Sequence, residues 1–266
     1  MQESPIHTQL AQQLWEARIQ ASPCEPLSNT ASTLTIPDAY SISDINMRRR
    51  VAQGAVRLVG KKIGLTSLAV QKQLQVLEPD FGYLTSDMQF ADEAILPIST
   101  LIAPKVEGEV AFVLKKELRG PGVDRAAVLA ATDYLLPVIE IIDSRVRDWK
   151  IKIVDTIADN ASSAAYILGK ERHAIKELDF ALAGMALFLN GEVASTGVAM
   201  ACLGHPADAV AWLANTMARF GQSLLPGEII LSGAFGPVVP VFEGDHVLVK
   251  ISGLGKVECR FSGGNS

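Results

Sequence analysis

Two long apolar stretches near the middle of the chain have the composition of core strands. They cover residues 104–115 and 135–143. Short apolar runs between turn signals are typical of buried strands. The same pattern predicts strands at 56–63, 228–232, 246–252 and 257–261, and a β-hairpin at 181–196 with Asn190-Gly191 as its two-residue turn.

Other segments have apolar residues at helical spacing. Near the N-terminus, Leu10, Leu14 and Ile19 recur among polar residues. The predicted helices cover 8–22, 38–54, 67–75, 123–132 and 205–220, and a linker containing Pro and Ser covers 23–37. Residues 79–82 read Pro-Asp-Phe-Gly, which predicts a turn. Because strands outnumber helices and turns are short, the pattern favours an α+β fold over a regularly alternating α/β sheet.

Composition adds limits to this picture. The chain has 266 residues, of which 48% are hydrophobic and 20% are charged. It can build one large core, with residues 1–55 as an N-terminal helical segment and 56–266 as the main domain of what is effectively one folding unit. The net charge is −5 and the charges are mixed, so nucleic-acid binding is not expected. No signal peptide and no apolar run of about 20 residues is found, so a cytoplasmic protein is expected.

The most informative polar residues are glutamates inside the two apolar stretches. Glu107 and Glu109 flank Gly108 in the first stretch, and Glu140 lies in the second. Side chains alternate along a strand, so Glu107 and Glu109 point to the same face, and Gly108 leaves the opposite face open to close approach. Buried carboxylates repel unless a cation lies between them, and three of them suit Mg²⁺ or Mn²⁺. The alternative is that Glu107 and Glu109 face solvent on an edge strand.

Three other polar segments have both a chemical and a structural interpretation. Lys61-Lys62 lies where a strand is predicted to meet a helix, so Lys62 could face a pocket or belong to a solvated pair. Asp80 reads as an ordinary turn residue. Residues 154–163 could line a pocket or form a satisfied turn network. The arginines at 48–50 are predicted to form a solvated helix face, with an anion site as the alternative.

Six motifs in order resemble one known family. They are Gly-Lys-Lys-Ile-Gly-Leu-Thr-Ser at 60–67, Pro-Asp-Phe-Gly-Tyr-Leu at 79–84, Pro-Lys-Val-Glu-Gly-Glu-Val-Ala-Phe-Val-Leu at 104–114, Ile-Asp-Ser-Arg-Val-Arg-Asp-Trp at 142–149, Asp-Thr-Ile-Ala-Asp-Asn-Ala-Ser at 155–162 and Leu-Gly-His-Pro at 203–206. Together they resemble the 2-hydroxypenta-2,4-dienoate (2-oxopent-4-enoate) hydratases of the fumarylacetoacetate hydrolase-like superfamily. The likeness covers nearly the whole chain.

The resemblance implies a mixed β-sheet roll or barrel of the fumarylacetoacetase C-terminal type, with surrounding helices. It implies a Mg²⁺ or Mn²⁺ site at Glu107, Glu109 and Glu140, an active-site lysine at Lys62 and an acid–base aspartate at Asp80. The implied activity is metal-dependent hydration of a 2-hydroxydienoate in aromatic meta-cleavage catabolism.

The resemblance also implies features that surround this chemistry. Ser162, Ser163 and Leu65 are expected beside a small 2-oxo acid substrate. A homo-oligomer is expected, and a complex with a related decarboxylase or a downstream aldolase is a further expectation. The alternative functions are 2-oxo-3-hexenedioate (4-oxalocrotonate) decarboxylation, from which Asp80 would discriminate, acylpyruvate hydrolysis, and a non-catalytic metal-stabilised subunit.

Overall fold

The protein folds into two β-sheets with helices packed around them, as a computed structural model describes it for residues 4–67, 71, 78–175 and 180–263. The α-helices are α1 (Pro5–Ile19), α2 (Leu27–Thr30), α3 (Ile36–Val51), α4 (Arg125–Ala131), α5 (Ile153–Ala158) and α6 (Pro206–Arg219). The strands are β1 (Leu58–Gly64), β2 (Asp80–Thr85), β3 (Gln89–Ala91), β4 (Ala94–Pro97), β5 (Lys105–Leu114), β6 (Thr132–Ile142), β7 (Ser163–Leu168), β8 (Gly184–Leu189), β9 (Glu192–Val198), β10 (Ile229–Leu231), β11 (Val239–Pro240), β12 (His246–Ile251) and β13 (Gly255–Ser262). The α+β prediction is therefore confirmed.

The larger sheet has eight strands and curls into a half-barrel. Its order is β2-β1-β10-β5-β6-β7-β3, with β11 also paired to β5. Strands β2 and β3 lie at opposite ends of this order, yet a 3₁₀ turn at Ser86–Met88 is all that separates them in sequence. Since three residues span only about 10 Å, the two ends of the sheet must approach each other. Asn160, in the segment just before β7, also contacts β2. Its side-chain amide accepts from the N–H of Tyr83 and donates to the C=O of Tyr83.

The two faces of this sheet have different environments. The inner face has an apolar cluster in its depth, made by Leu84, Met88, Ala111, Val113, Leu136, Val138, Tyr166 and Leu231. The outer face packs against the second sheet, whose order is β4-β13-β12-β8-β9. At Gly108 this packing is so close that a Cβ atom would lie 2.9 Å from Val249 Cγ1 and 3.2 Å from Met185 Cγ. The prediction that Gly108 permits close approach on that face is confirmed.

The N-terminal helices cover the connection between β6 and β7. Leu10, Leu14 and Ile42 from α1 and α3 form one buried cluster with Val146 and Ile157. Helix α3 begins two residues earlier than predicted. The reason is a capping box, in which the Thr35 hydroxyl accepts from the Asp38 N–H and the Asp38 carboxylate accepts from the Thr35 N–H.

Two sequence interpretations are wrong. Residues 79–82 do not form a turn, because Asp80 is the first residue of β2 and pairs with Gly64 of β1. Arg50 does not belong to a solvated face, since it is 6% exposed and its guanidinium binds Asp87. The hairpin with Asn190-Gly191 between β8 and β9 is confirmed.

The helix predicted at 67–75 falls mostly on residues outside the described part. Within the described part, none of the helices has the length and apolar character needed to cross a membrane.

Candidate active site

Two neighbouring strands bring the three glutamates together on the inner face of the half-barrel. Glu107 and Glu109 lie on β5, and Glu140 lies on β6 directly opposite Glu107. A carboxylate oxygen from each of the three lies within 4.8 Å of the other two. Their residues are 8%, 0% and 0% exposed, in chain order. The prediction of one shared face is confirmed, and the alternative of a solvent-facing edge strand is excluded.

Protein groups satisfy the glutamates only in part. Glu109 Oε2 accepts from the Gly233 N–H at 2.7 Å, and Glu140 Oε1 accepts from the Ser163 hydroxyl at 2.8 Å. Glu109 Oε1 is buried without a hydrogen-bond partner, and so is Glu140 Oε2, which has the Lys62 ammonium 3.3 Å away. Buried polar atoms normally have partners, so these oxygens are suited to bind a positively charged ligand.

Burial and mutual repulsion change the proton affinities of this cluster. Burial raises the pKa of Glu109 well above its ordinary value, and the charges of Glu140 and Glu107 raise it further. Burial likewise raises the pKa of Glu140 to about 7, although Lys62 opposes the change. For Lys62, burial lowers the pKa, but the attraction of Glu140, Glu107 and Asp80 outweighs it and the net shift is upward. The ammonium is therefore charged, and one cation faces several carboxylates.

The donor set fits a hard divalent cation. Three carboxylates, with Glu109 Oε1 unpartnered and Glu140 Oε2 in contact with the Lys62 ammonium, provide the all-oxygen environment that Mg²⁺ and Mn²⁺ prefer. These ions commonly keep open positions for water or substrate. One lysine cannot neutralise three ionised glutamates, so a bound divalent ion would balance the charge.

Lys62 and Asp80 lie at the edge of this cluster, on paired strands. Lys62 comes from β1 and is 3% exposed, and Asp80 begins β2 and is 1% exposed. Gly64 separates them, since a Cβ atom there would overlap with Asp80 Oδ1 and lie 3.4 Å from Lys62 Nζ. Asp80 Oδ1 has no hydrogen-bond partner, and Oδ2 lies 3.5 Å from the Thr156 hydroxyl. Burial raises the pKa of Asp80, while Lys62 and the hydrogen bond from Thr156 lower it.

A left-handed segment places Ser162 next to these residues. Asn160, Ala161 and Ser162 have φ angles of 56°, 51° and 54°, which non-glycine residues rarely adopt in succession. Strained backbone of this kind clusters at functional sites. The Ser162 hydroxyl lies 3.3 Å from that of Thr156, which links it to Asp80.

The structure distributes the remaining sequence candidates around this cluster. The Ser163 hydroxyl donates to Glu140, whereas the Ser162 hydroxyl lies 3.3 Å from that of Thr156, on the Asp80 side. Leu65 follows β1 with a φ of 56°, and its carbonyl accepts from the Gln71 side chain at 2.7 Å. Lys61 faces away and forms a buried ion pair with Glu228 at 2.6 Å.

Sequence reasoning missed two contributors to the site. Thr156 lies in the polar run at 154–163, so its segment was visible although its role was not. The Gly233 N–H, which binds Glu109, had no signal because it lies 124 residues away in the chain.

Known proteins are similar to this chain in both sequence and fold. Residues 59–262 match the model of the fumarylacetoacetate (FAA) hydrolase C-terminal family. The chain is 49% identical over 251 residues to 2-keto-4-pentenoate hydratase of Paraburkholderia xenovorans (strain LB400), covering 94% of this chain and 93% of the relative. It is 48% identical over 259 residues to 2-hydroxyhexa-2,4-dienoate hydratase of Comamonas testosteroni, covering 97% of each.

A solved structure is also similar over almost the whole chain. It is 4-oxalocrotonate decarboxylase from Pseudomonas putida G7, complexed with magnesium and adipate. The two structures have a TM-score of 0.92 and 36% sequence identity, covering 96% of this chain and 97% of the other.

Proposed function

The chain belongs to the fumarylacetoacetate (FAA) hydrolase family, and on that premise we propose that it is a divalent-metal-dependent hydratase. It adds water to 2-hydroxypenta-2,4-dienoate (2-oxopent-4-enoate) and forms 4-hydroxy-2-oxopentanoate, a hydro-lyase reaction of aromatic meta-cleavage catabolism. The observation that carries the proposal is one buried cluster in which three partly satisfied glutamates adjoin Lys62 and Asp80. Two hydratases at 49% and 48% identity support the reaction class.

The glutamate end of the site binds the acid end of the substrate. Glu107, Glu109 and Glu140 would hold Mg²⁺ or Mn²⁺. When bound, the ion supplies positive charge for the substrate's C1 carboxylate and 2-oxygen and for the negative charge that develops on the enolate. The Ser163 hydroxyl and the Gly233 N–H position Glu140 and Glu109 for this role.

The other end of the site moves protons. The dienol first becomes a conjugated 2-oxo-3-enoate, which requires removal of the 2-hydroxyl proton and protonation at C5. Lys62 and Asp80 carry these transfers. Burial raises the pKa of Asp80, so its carboxyl group can hold and release a proton closer to neutral pH than an exposed aspartate can. Water then adds at C4 and a proton at C3, and Asp80 is assigned the activation of that water.

The hydroxyl residues and Leu65 bind the rest of the substrate. Ser162 lies on the Asp80 side through Thr156, so it is assigned a contact with the substrate's reacting end. Ser163, beside Glu140, and Leu65, just after Gly64, complete the assigned substrate contacts.

Decarboxylation of 2-oxo-3-hexenedioate is the second candidate, because the similar solved structure is a 4-oxalocrotonate decarboxylase. The glutamate end of the site would serve either reaction, since both reactions pass through an enolate. Asp80 separates them, because in the family resemblance it belongs to the hydratase pattern. The higher identity to hydratases, 49% against 36%, also favours hydration.

The proposal extends to organisation and location. Residues 1–55 form an N-terminal helical segment and 56–266 the catalytic domain, and together they behave as one folding unit. The protein is a cytoplasmic homo-oligomer. A complex with a related decarboxylase or a downstream aldolase would pass on the small oxo acids.

One assay with two substrates tests the function. Purified protein is incubated with 2-hydroxypenta-2,4-dienoate and Mg²⁺ or Mn²⁺, with and without EDTA, and dienol absorbance and 4-hydroxy-2-oxopentanoate are followed. We expect metal-dependent loss of the dienol with a matching yield of the hydrated product. A parallel reaction with 2-oxo-3-hexenedioate measures CO₂. Metal-dependent CO₂ release without hydration would establish decarboxylation instead. If neither reaction is observed, both assignments are refuted.

A further inference from the structure

A cleft lies beside the candidate active site, between the N-terminal helices and the edge of the half-barrel. Its volume is about 300 Å³. Its walls come from α1, α3, the segment 96–102 and the first residues of β7. Ser163 lines both this cleft and the candidate active site, whereas Lys62, Asp80 and the three glutamates do not line the cleft.

Most charges in this cleft are already matched by protein groups. Arg50 binds Asp87 through two nitrogens, with distances of 3.0 and 2.7 Å. Arg145 forms an ion pair with Asp159 and also donates to backbone carbonyls. Asp143 accepts from two backbone N–H groups, at 2.9 and 2.7 Å. These groups form closed networks and need no ligand.

Arg18 is the exception among the arginines that line the cleft. Its closest carboxylate oxygen, on Asp87, is 3.9 Å away and is already bound by Arg50. The guanidinium side chain is only 36% exposed. Burial lowers the pKa of Arg18 to about 10, and the charges of Arg50 and Arg145 add to the effect. An anion in the cleft would relieve both the desolvation and the repulsion.

Besides Arg18, the cleft offers the hydroxyl of Ser43 and an apolar wall, so a ligand that fits it has a hydrogen-bond acceptor and a hydrocarbon part. Ser43 lines the cleft, is 3% exposed, and makes no side-chain hydrogen bond with the described residues. Leu14, Met47, Phe90 and Leu101 line the same cleft and provide a hydrocarbon surface. The formal charges of the arginines and aspartates that line the cleft balance. Arg18 contacts the Trp15 ring at 5.6 Å but has no carboxylate oxygen closer than 3.9 Å, which favours a monoanion over a phosphate dianion.

We propose that this cleft binds a small monocarboxylate with an apolar body, whose carboxylate pairs with Arg18 and accepts from the Ser43 hydroxyl, and whose hydrocarbon lies against the apolar wall. Ser163 borders both sites, but the groups proposed to bind this acid, Arg18 and Ser43, take no part in the proposed hydration reaction. The volume suits an acid of about six to ten heavy atoms, which is within the ordinary range of small-molecule sites.

Calorimetry on the full-length protein in EDTA tests this site, because EDTA removes any metal that would bind carboxylates in the active site. Hexanoate is the probe, with hexan-1-ol as its neutral counterpart and inorganic phosphate as a hydrophilic anion. We expect saturable one-to-one binding of hexanoate, and binding of the other two weaker by about tenfold or more because each lacks one half of the recognition.

Matched variants locate the binding. Arg18→Gln should weaken hexanoate binding about tenfold or more, and Ser43→Ala should weaken it less. Arg48→Gln changes another arginine of the N-terminal helices, one that does not line the cleft, and should leave the binding unchanged. Circular dichroism and the thermal midpoint check that each variant is folded. Absence of saturable binding up to about 10 mM, or equal binding by folded Arg18→Gln, would overturn the proposal.

Discussion

Two groups of buried carboxylates lie close together in this protein, and they differ in how far they are satisfied. Asp143, Asp155 and Asp159 lie in or beside the β6–β7 connection, and both oxygens of each accept hydrogen bonds from protein groups. Glu109 and Glu140, on the inner face of the half-barrel, each keep an oxygen without a hydrogen bond. The two groups are equally buried, so burial alone does not distinguish a structural carboxylate from a functional one.

The completeness of the hydrogen bonds does distinguish them. In the connection, Asp155 binds the N–H and hydroxyl of Ser28 and so ties the N-terminal segment to α5. Arg145 and Asp159 neutralise each other. In the half-barrel, the Lys62 ammonium offsets only part of the desolvation and repulsion of the three carboxylates. We therefore expect changes in the first group to cost stability and changes in the second to cost metal binding and activity.

The largest effect should come from Glu109→Gln. Removing one anionic ligand should abolish measurable Mg²⁺ binding and lower kcat/KM about 10⁴-fold, because the charge stabilisation of several kcal/mol that a metal provides is lost. In EDTA, the thermal midpoint should not fall, since a buried and repelled carboxylate has been removed. Titration calorimetry and thermal denaturation measure the two properties.

The matched control is Asp155→Asn in the satisfied group. It should lower the thermal midpoint, because Asp155 accepts from Ser28 and Lys152, and should leave Mg²⁺ affinity unchanged. Equal loss of metal affinity in both variants would show that the comparison does not separate the two groups.

Asp80→Asn should give the next largest effect. We expect a fall in the rate of hydration of about 10³-fold, because an amide cannot exchange the proton, with Mg²⁺ affinity nearly unchanged. Steady-state kinetics and calorimetry measure the two. Full hydration activity in this variant would remove Asp80 from the acid–base role.

The sequence predicts the glutamate end of the site better than the proton-transfer end. The period of two along β5 places Glu107 and Glu109 on one face, and local pattern suffices for that. Asp80 was assigned to a turn because Pro-Asp-Phe-Gly has turn-forming residues. In the structure, Gly82 serves another purpose, since a Cβ atom there would overlap with the Asn160 carbonyl oxygen.

What the sequence could not predict depends on long-range contacts. The Gly233 N–H reaches Glu109 only because β10 lies beside β5. The left-handed backbone at 160–162 has no glycine to signal it. Arg50 follows two exposed arginines, and its burial depends on Asp87, 37 residues further along the chain. Strand type and facing residues are local properties, whereas these contacts are set by the curl of the sheet.

Arg145 is the cation that pairs with Asp159 in the fully hydrogen-bonded carboxylate group, and its replacement tests what this pair contributes to stability. Arg145→Met retains the bulk of the side chain but leaves Asp159 buried and unpaired, so we expect a loss of about 3–5 kcal/mol in the free energy of unfolding. Arg147→Met, which changes an exposed arginine two residues away, should stay within about 0.5 kcal/mol. Chemical denaturation in EDTA measures both. A small loss in Arg145→Met would mean that the closed network contributes little to stability.

The pH dependence of the unsatisfied group has a definite sign. The pKa of Glu140 is raised from 4.5 to about 7 in the folded protein without metal. The folded state therefore holds a proton that the unfolded state has released, and the stability contributed by Glu140 falls as pH rises from 4.5 through about 7. Denaturation in EDTA should show this fall, and Glu140→Gln should remove it. Because a ligand must be deprotonated, Mg²⁺ affinity should decrease about tenfold per unit below pH 7.

The smallest effect should come from Thr156→Val, at the link between Asp80 and Ser162. Losing this long hydrogen bond of 3.5 Å to Asp80 should lower kcat about two- to tenfold. Mg²⁺ affinity should stay unchanged, because the Thr156 hydroxyl bonds Asp80 and Ser162 and not the glutamates of the proposed metal site. Thr156→Ser keeps the hydroxyl and should retain most of the rate. A pH–rate profile separates positioning from packing, because loss of the hydrogen bond that lowers the pKa of Asp80 should move the profile upward in pH. An unshifted profile with equal losses in both variants would indicate a packing role alone.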